Sequence, residues 1–145
     1  MNTSKIKVNS EEELIALARR WTTSLQGKVV VALYGELGAG KTRFAQGVAQ
    51  ALGVKEPVCS PTFAIAQEYC GDNGKRLVHF DLYRLSGEQA VDDFGFEELL
   101  QRADVAVIEW PERAGRLLPE GAVSVKIDFG DTETERLVRI VNFRF

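Results

Sequence analysis

Three observations predict an α/β fold with a mixed, mostly parallel central sheet flanked by helices. The first is the near-continuous apolar run from Lys28 to Leu33, which lacks polar alternation and suits a strand covered on both faces. The second is a glycine-rich turn that follows at once and opens a helical pattern. The third is the spacing of later short apolar runs between helical segments, closed by two β-rich stretches that read as a C-terminal β-hairpin. Length and the absence of a linker, repeat or low-complexity run predict a single domain over residues 1–145.

Taken in order, Ser10-Glu11-Glu12-Glu13 precedes Leu14, Leu17, Ala18, Trp21 and Leu25, which share one helical face. Ser10 is the expected N-cap and Glu13 its partner in a capping box, while the acids complement the helix dipole. After the buried strand and the turn, Phe44, Val48, Ala49, Ala51 and Leu52 form the apolar side of the next helix, which Gly53 ends. Residues 54–58 are a connection. Residues 63–69 and 77–82 are strand-like around Gly71-Asp72-Asn73-Gly74, predicting a hairpin. Residues 86–101 are helical in composition, and Gly95 divides them into two short helices. Val105-Ala106-Val107-Ile108 is a further buried strand that runs into Glu109-Trp110-Pro111. Residues 122–129 and 136–143 form the final hairpin around Gly130-Asp131-Thr132-Glu133-Thr134.

Composition excludes some classes. Net charge is −3, so no global basic footprint marks a direct nucleic-acid binder; if RNA is involved, something else would hold it. Met1 to Lys7 carries no apolar leader region and no run reaches membrane-span length. Cys59 and Cys70 lack metal-ligand spacing and read as thiols in a reducing compartment. The chain is expected to be cytoplasmic, without a membrane contact.

Gly35-Glu36-Leu37-Gly38-Ala39-Gly40-Lys41-Thr42 fits G-x-x-x-x-G-K-[ST], the phosphate-binding loop, with a strand before it and a helix after it. Chance gives such a match in roughly 0.5% of chains this long at ordinary Gly, Lys and Ser/Thr usage. Gly35, Gly38 and Gly40 permit positive φ and close backbone approach, so successive N–H groups converge on an anion. Lys41 would place its charge on the β- and γ-phosphates, and Thr42 would offer a hydroxyl to Mg²⁺ at a helix N-terminus.

Hydrolysis also needs acids. Glu109 ends an apolar strand, where a carboxylate faces the phosphates at the sheet's C-terminal edge; a solvated strand-end acid is the plain alternative. Alternation places His79, Asp81 and Tyr83 on one face, so Asp81 either serves Mg²⁺ or the attacking water, or simply pairs with Arg84 or His79. His79, the only histidine, reads as structural. Thr62 follows the loop helix where GTPase-type proteins carry a γ-phosphate sensor, but its pattern alone fits a turn that starts a strand. No Asn-Lys-x-Asp is present for guanine selection, and Arg113 and Arg116 could serve a kinase-type lid but read better as a solvated or partner-facing loop.

At these residues the chain resembles the TsaE (YjeE) family, small bacterial P-loop ATPases required for threonylcarbamoyladenosine modification of tRNA. The resemblance rests on Tyr34 to Thr42, Ser60-Pro61-Thr62-Phe63, His79-Phe80-Asp81-Leu82-Tyr83-Arg84-Leu85, Gly95-Phe96-Glu97-Glu98-Leu99-Leu100 and Ile108-Glu109-Trp110-Pro111, in the family's order. It implies that Leu37 to Thr42 hold ATP phosphates, that Thr42 and Glu109 hold Mg²⁺, and that Asp81 is a further acid at metal or water. It implies a switch-like loop at Ser60-Pro61-Thr62, and an adenine side at Glu11 and Arg136, although residues 132–136 lack the family's Gly-Arg. It further implies weak ATP hydrolysis, stimulated by a TsaB–TsaD pair that acts on tRNA, by a subunit monomeric on its own. A small-molecule kinase and a nucleotide-dependent assembly module that does not hydrolyse remain the competing classes, and the sequence leaves open which of Asp81 and Glu109 positions the water.

Overall fold

The computed structural model describes residues 2–61 and 64–142. The chain runs β1 (Asn2–Val8), α1 (Glu11–Thr23), β2 (Val29–Tyr34), α2 (Lys41–Ala51), β3 (Ala66–Cys70), β4 (Arg76–Asp81), α3 (Glu88–Phe94), α4 (Phe96–Arg102), β5 (Val105–Glu109), β6 (Val123–Phe129) and β7 (Arg136–Asn142). Short 3₁₀ turns lie at Asp72–Gly74 and Pro111–Leu117.

All the strands join one mixed seven-stranded sheet in the order β1-β7-β6-β2-β5-β4-β3. Its centre, β6-β2-β5-β4, is parallel, and β3, β7 and β1 add antiparallel ladders at the two edges. The strand with the unbroken apolar run, β2, sits between β5 and β6 and is covered on both sides, which is what that composition demands.

Side-chain alternation sorts the sheet into two cores. On one face Val31, Leu33, Val107 and Val125 pack under Leu14, Leu17, Phe44 and Val48 of α1 and α2. On the other, Val78, Phe80, Ala106 and Ile108 meet Val91, Phe96 and Ala114. Phe80 and Phe96 lock that layer edge to face, with ring centroids 4.9 Å apart.

The local signals act as their chemistry predicts. Ser10 Oγ accepts the Glu13 N–H at 3.1 Å, capping α1. The Glu13 carboxylate reaches back to the Asn9 N–H, one residue short of the cap residue expected for a capping box. At the end of α2, Gly53 N–H donates to Gln50 C=O and Val54 N–H to Ala49 C=O, the paired bonds of a Schellman stop. Gly95 separates α3 from α4, and the hairpins at 66–81 and 123–142 both form.

Three expectations need correction. Residues 2–8 form β1, which the sequence reading did not anticipate; within residues 3–8 Val8 is buried, Ile6 is half-buried and the rest are exposed, so pairing with β7 supplies the order that propensity does not. The strand after Pro61 starts at Ala66. Finally, β4 stops at Asp81, so His79 and Asp81 share a face but Tyr83 lies in the turn beyond, exposed and packed on Trp110 with centroids 4.9 Å apart.

Close packing of α1 on α2 depends on Gly47. A methyl group there would stand 2.4 Å from the Ile15 carbonyl oxygen and 2.6 Å from Ala18 Cβ. Alanine favours a helix over glycine by about 1 kcal/mol, but overpacking against backbone costs roughly 1–3 kcal/mol. The contacted atom is a carbonyl that cannot rotate away, so the clash prevails. Gly47→Ala is expected to lower the urea midpoint with an unchanged m-value; an unchanged or higher midpoint would show that the helices separate at no cost.

Candidate functional site

The loop between β2 and α2 curls over the C-terminal edge of the parallel strands. Gly35 lies so close to the hairpin that a Cβ would sit 2.8 Å from the Ile127 carbonyl oxygen. Gly40 caps α2 at φ 115° with no side-chain hydrogen bond to the helix end. The first N–H groups of α2 therefore have no side-chain cap from Gly40, and Gly40 to Arg43 line a cleft, the place an anion would take at a helix N-terminus. Lys41 opens the helix; it is only 7% exposed, and its Nζ lies 4.6 Å from the centroid of the Trp110 ring. Leu37, at the loop tip, is 89% exposed.

Register brings the two acids together. Glu109, the last residue of β5, stands opposite Asp81, the last of β4, and opposite Leu33 of β2. Alternation from Leu77 and Val107, both in the core beneath α1 and α2, turns His79, Asp81 and Glu109 to that same face. His79 is fully buried and its Nε2 lies 2.7 Å from Glu109 Oε2. Because an ionised carboxylate only accepts, that nitrogen carries a proton; Nδ1 has no hydrogen-bond partner among the described residues. Ser60 Oγ also donates to Glu109 Oε2, at 3.1 Å, and lies 2.6 Å from Thr42 Oγ1.

These neighbours push the two carboxyl groups apart. Burial alone would raise Glu109, but the His79 hydrogen bond and charge, the Ser60 hydroxyl and the Lys41 ammonium together hold it below the ordinary carboxylate value. Asp81 is raised, chiefly by burial and further by the Glu109 charge; the Tyr83 N–H, 3.1 Å from Oδ1, and the charges of His79 and Lys41 only partly offset this. Two acids with separated pKa values suit two different tasks.

A cleft of ≈ 420 Å³ lies over this cluster, bounded by Leu37, Gly38 and the run from Gly40 to Arg43 on one side and by Ser60, Asp81, Glu109 and Trp110 on the other. A smaller pocket of ≈ 280 Å³ adjoins it through Glu11, Gly38 and Gly40, and is walled by Ala39, Thr134 and Arg136. Glu11 pairs with Arg43 at 3.2 Å. Arg136 donates from Nε to the Ala39 carbonyl at 3.1 Å and from Nη1 to the Glu133 and Glu135 carbonyls, so it fastens the glycine-rich loop to the last hairpin.

Glu11, Leu37, Gly38, Ala39, Gly40, Lys41, Thr42, Asp81, Glu109 and Arg136 thus line one continuous depression, with Gly35 beneath the loop. Thr62 lies outside the described residues. Sequence reasoning passed over three groups that the fold brings in: Ser60 as a bridging hydroxyl, His79 as the donor to Glu109, and Trp110 as the ring beside Lys41. The alternation of His79 with Asp81 was the one available signal for His79. Trp110 takes φ 57°, a backbone that bulky residues rarely adopt and that turns the chain immediately after Glu109.

No group of three or more His, Cys, Asp or Glu side chains suited to a metal occurs among the described residues. What the site offers is a hydroxyl and two carboxylates, hard oxygen donors in too small a number to complete a coordination shell. Such a partial set fits Mg²⁺, which keeps water and phosphate oxygens as its other ligands.

A glycine-rich loop between a parallel strand and a helix, beside acids at the ends of neighbouring strands, defines a P-loop NTPase fold. The family model described as "Threonylcarbamoyl adenosine biosynthesis protein TsaE" matches residues 8–138, and the chain belongs to the TsaE family. The tRNA threonylcarbamoyladenosine biosynthesis protein TsaE of Bacillus subtilis is 34% identical over 146 residues, covering 100% of this chain and 90% of that protein. Its Haemophilus influenzae counterpart is 38% identical over 71% of this chain, a stretch that spans 65% of the relative's length. The crystal structure of Bacillus subtilis YdiB superposes with a TM-score of 0.79 at 28% identity, covering 99% of this chain and 87% of that one.

The raised Asp81 has a consequence for stability. Its folded-state pKa exceeds the unfolded value near 4, so the native state loses stability as pH rises through the folded value. Asp81→Asn keeps an acceptor for the Tyr83 N–H and removes the charge. The variant is expected to melt above the wild type at pH 7, with the gain shrinking to nothing below about pH 4. Thermal unfolding across that range checks it; a loss of stability at pH 7 would contradict the sign.

Proposed function

We propose that this chain is a Mg²⁺-dependent ATPase that supports threonylcarbamoyladenosine biosynthesis by driving a partner complex rather than by modifying tRNA itself. The observation that supports this best is the pair of register-matched acids with oppositely shifted pKa values, set beside Lys41 and the open end of α2. In this reading the loop N–H groups and Lys41 hold the β- and γ-phosphates. Thr42 and ionised Glu109 hold Mg²⁺, which would supply charge neutralisation on the phosphate oxygens.

Asp81 takes the other task. Less acidic than Glu109, it orients a water molecule in line with the γ-phosphorus and accepts its proton. Water adds to phosphorus, the bond to the β-bridging oxygen breaks, and ADP and inorganic phosphate leave. The smaller pocket between Glu11 and Arg136 lies on the side where the base and ribose would extend.

The partner we infer is a TsaB–TsaD-like heterodimer, with tRNA reached only through it; ATP turnover resets that complex between transfers. The family's role in threonylcarbamoyl adenosine biosynthesis and the net charge of −3 both support this division, since the chain has no overall basic surface for RNA.

The direct test is ATP hydrolysis by the purified chain, alone and with a TsaB–TsaD pair and tRNA. Slow turnover alone and strong stimulation by the pair are expected. Lys41→Ala is expected to lose nucleotide affinity, and Asp81→Asn to lose roughly 10²-fold or more in turnover with nucleotide still bound. Glu109→Ala should abolish the Mg²⁺ dependence; full Mg²⁺-dependent hydrolysis in that variant would remove Glu109 from the site. Phosphate transfer to a small acceptor would point to a kinase, and binding without any turnover to an assembly module.

A further inference from the structure

The Ser60 hydroxyl bridges Thr42 and Glu109. Glu109 Oε2 accepts from both His79 Nε2 and Ser60 Oγ, at 2.7 and 3.1 Å. A serine hydroxyl has one proton, and the carboxylate can take it but has none to give. The proton of the 2.6 Å contact between Ser60 and Thr42 must then come from Thr42. The reverse orientation would leave two acceptor oxygens facing each other at 3.1 Å. The hydrogen bonds therefore run in one direction, from Thr42 to Ser60 to Glu109, with His79 donating from the other end.

We propose that Ser60 is a positioning residue for the cation-facing pair: it draws the Thr42 proton aside, so that Thr42 presents lone pairs to the cation, and it holds Glu109 by one oxygen. Glu109 Oε1 accepts no hydrogen bond among the described residues, and the residue lines the cleft. Ser60 lies on the connection between α2 and β3, which α2 itself anchors: Gln46 Nε2 donates to the Val58 carbonyl at 2.9 Å. Gln46 is one turn after Thr42 on the same helix, so both ends of the bridge are referred to α2. Such outer groups typically contribute 10–100-fold to metal affinity by orienting the ligands. The proposal rests on the reading that Thr42 and Glu109 face Mg²⁺, and its test separates the two.

The experiment is a titration of the protein with a fluorescent ADP, with and without Mg²⁺, alongside thermal unfolding of the nucleotide-free chain. Wild type is expected to bind more tightly with Mg²⁺. Ser60→Ala should keep Mg²⁺-free affinity within about twofold and lose about tenfold of the Mg²⁺-dependent gain. Ser60→Thr, which restores the hydroxyl, should recover most of it, and Ser60→Cys, of similar volume with weak hydrogen bonds, should fall between. Several outcomes overturn the proposal: an undiminished Mg²⁺ gain in Ser60→Ala; tighter Mg²⁺-ADP binding, which would make the hydroxyl a competitor of the cation; or equal losses with and without Mg²⁺. A wild type that binds ADP, with Lys41→Ala abolishing that binding, but shows no Mg²⁺ gain would overturn the metal reading beneath it as well.

Discussion

A carboxylate at the end of a buried strand is the constraint around which this molecule is arranged. Glu109 is 4% exposed, and an ionised acid there is tolerable only if donors and positive charge replace the water it loses. His79, Ser60 and Lys41 provide that replacement, and each comes from a different element: β4, the connection before β3, and the start of α2. Shift one element and the acid loses a donor, which in a low-dielectric setting costs more than an ordinary hydrogen bond returns. The site is therefore held by the same interactions that keep its key acid ionised.

Register does most of the positioning. Asp81, Glu109 and Leu33 are matched across three parallel strands, so both acids and the entrance to the glycine-rich loop arrive at one edge together. A slip of one residue would turn Glu109 to the opposite core and put Ile108 in its place. Val105 to Ile108 are apolar and buried on both faces, so the charge at the strand's end is what resists a one-residue slip: it would carry Glu109 away from the His79 and Ser60 donors into the apolar layer on the other side.

Much of this was legible in the sequence because the signals were local. The glycine-rich loop, the unbroken apolar strand at Lys28 to Leu33, the Ser10 cap and the break at Gly95 each depend on residues close in the chain, and each formed as expected. Glu109 could be placed at a strand end by pattern, and Asp81 on the strand face it shares with His79, although not at the strand's end. What the pattern could not reach was anything depending on a distant partner. Strand β1 is mostly polar and takes its order from β7, more than a hundred residues later. His79 read as an ordinary core histidine until the register of β4 on β5 set it beside Glu109. The Ser60 hydroxyl meets Thr42 across a chain separation of eighteen residues, through a connection with no periodicity to read.

The antiparallel edge of the sheet is best understood as the floor of the loop. The parallel centre delivers the acids, but nothing in it supports the glycine-rich turn from the other side. The β6–β7 hairpin does so twice: the Ile127 carbonyl lies directly under Gly35, and the Arg136 guanidinium ties the Ala39 carbonyl to the carbonyls of Glu133 and Glu135. Under the proposed phosphate-binding role, fixing the loop's carbonyls elsewhere leaves its N–H groups for the anion, since a carbonyl turned inward would repel it. Arg136 uses its Nε and Nη1 donors on these main-chain oxygens. In turn β1, which shields the outer side of β7, stabilises the hairpin that carries the arginine. The least predictable strand of the fold thus supports, through β7 and Arg136, its most predictable motif.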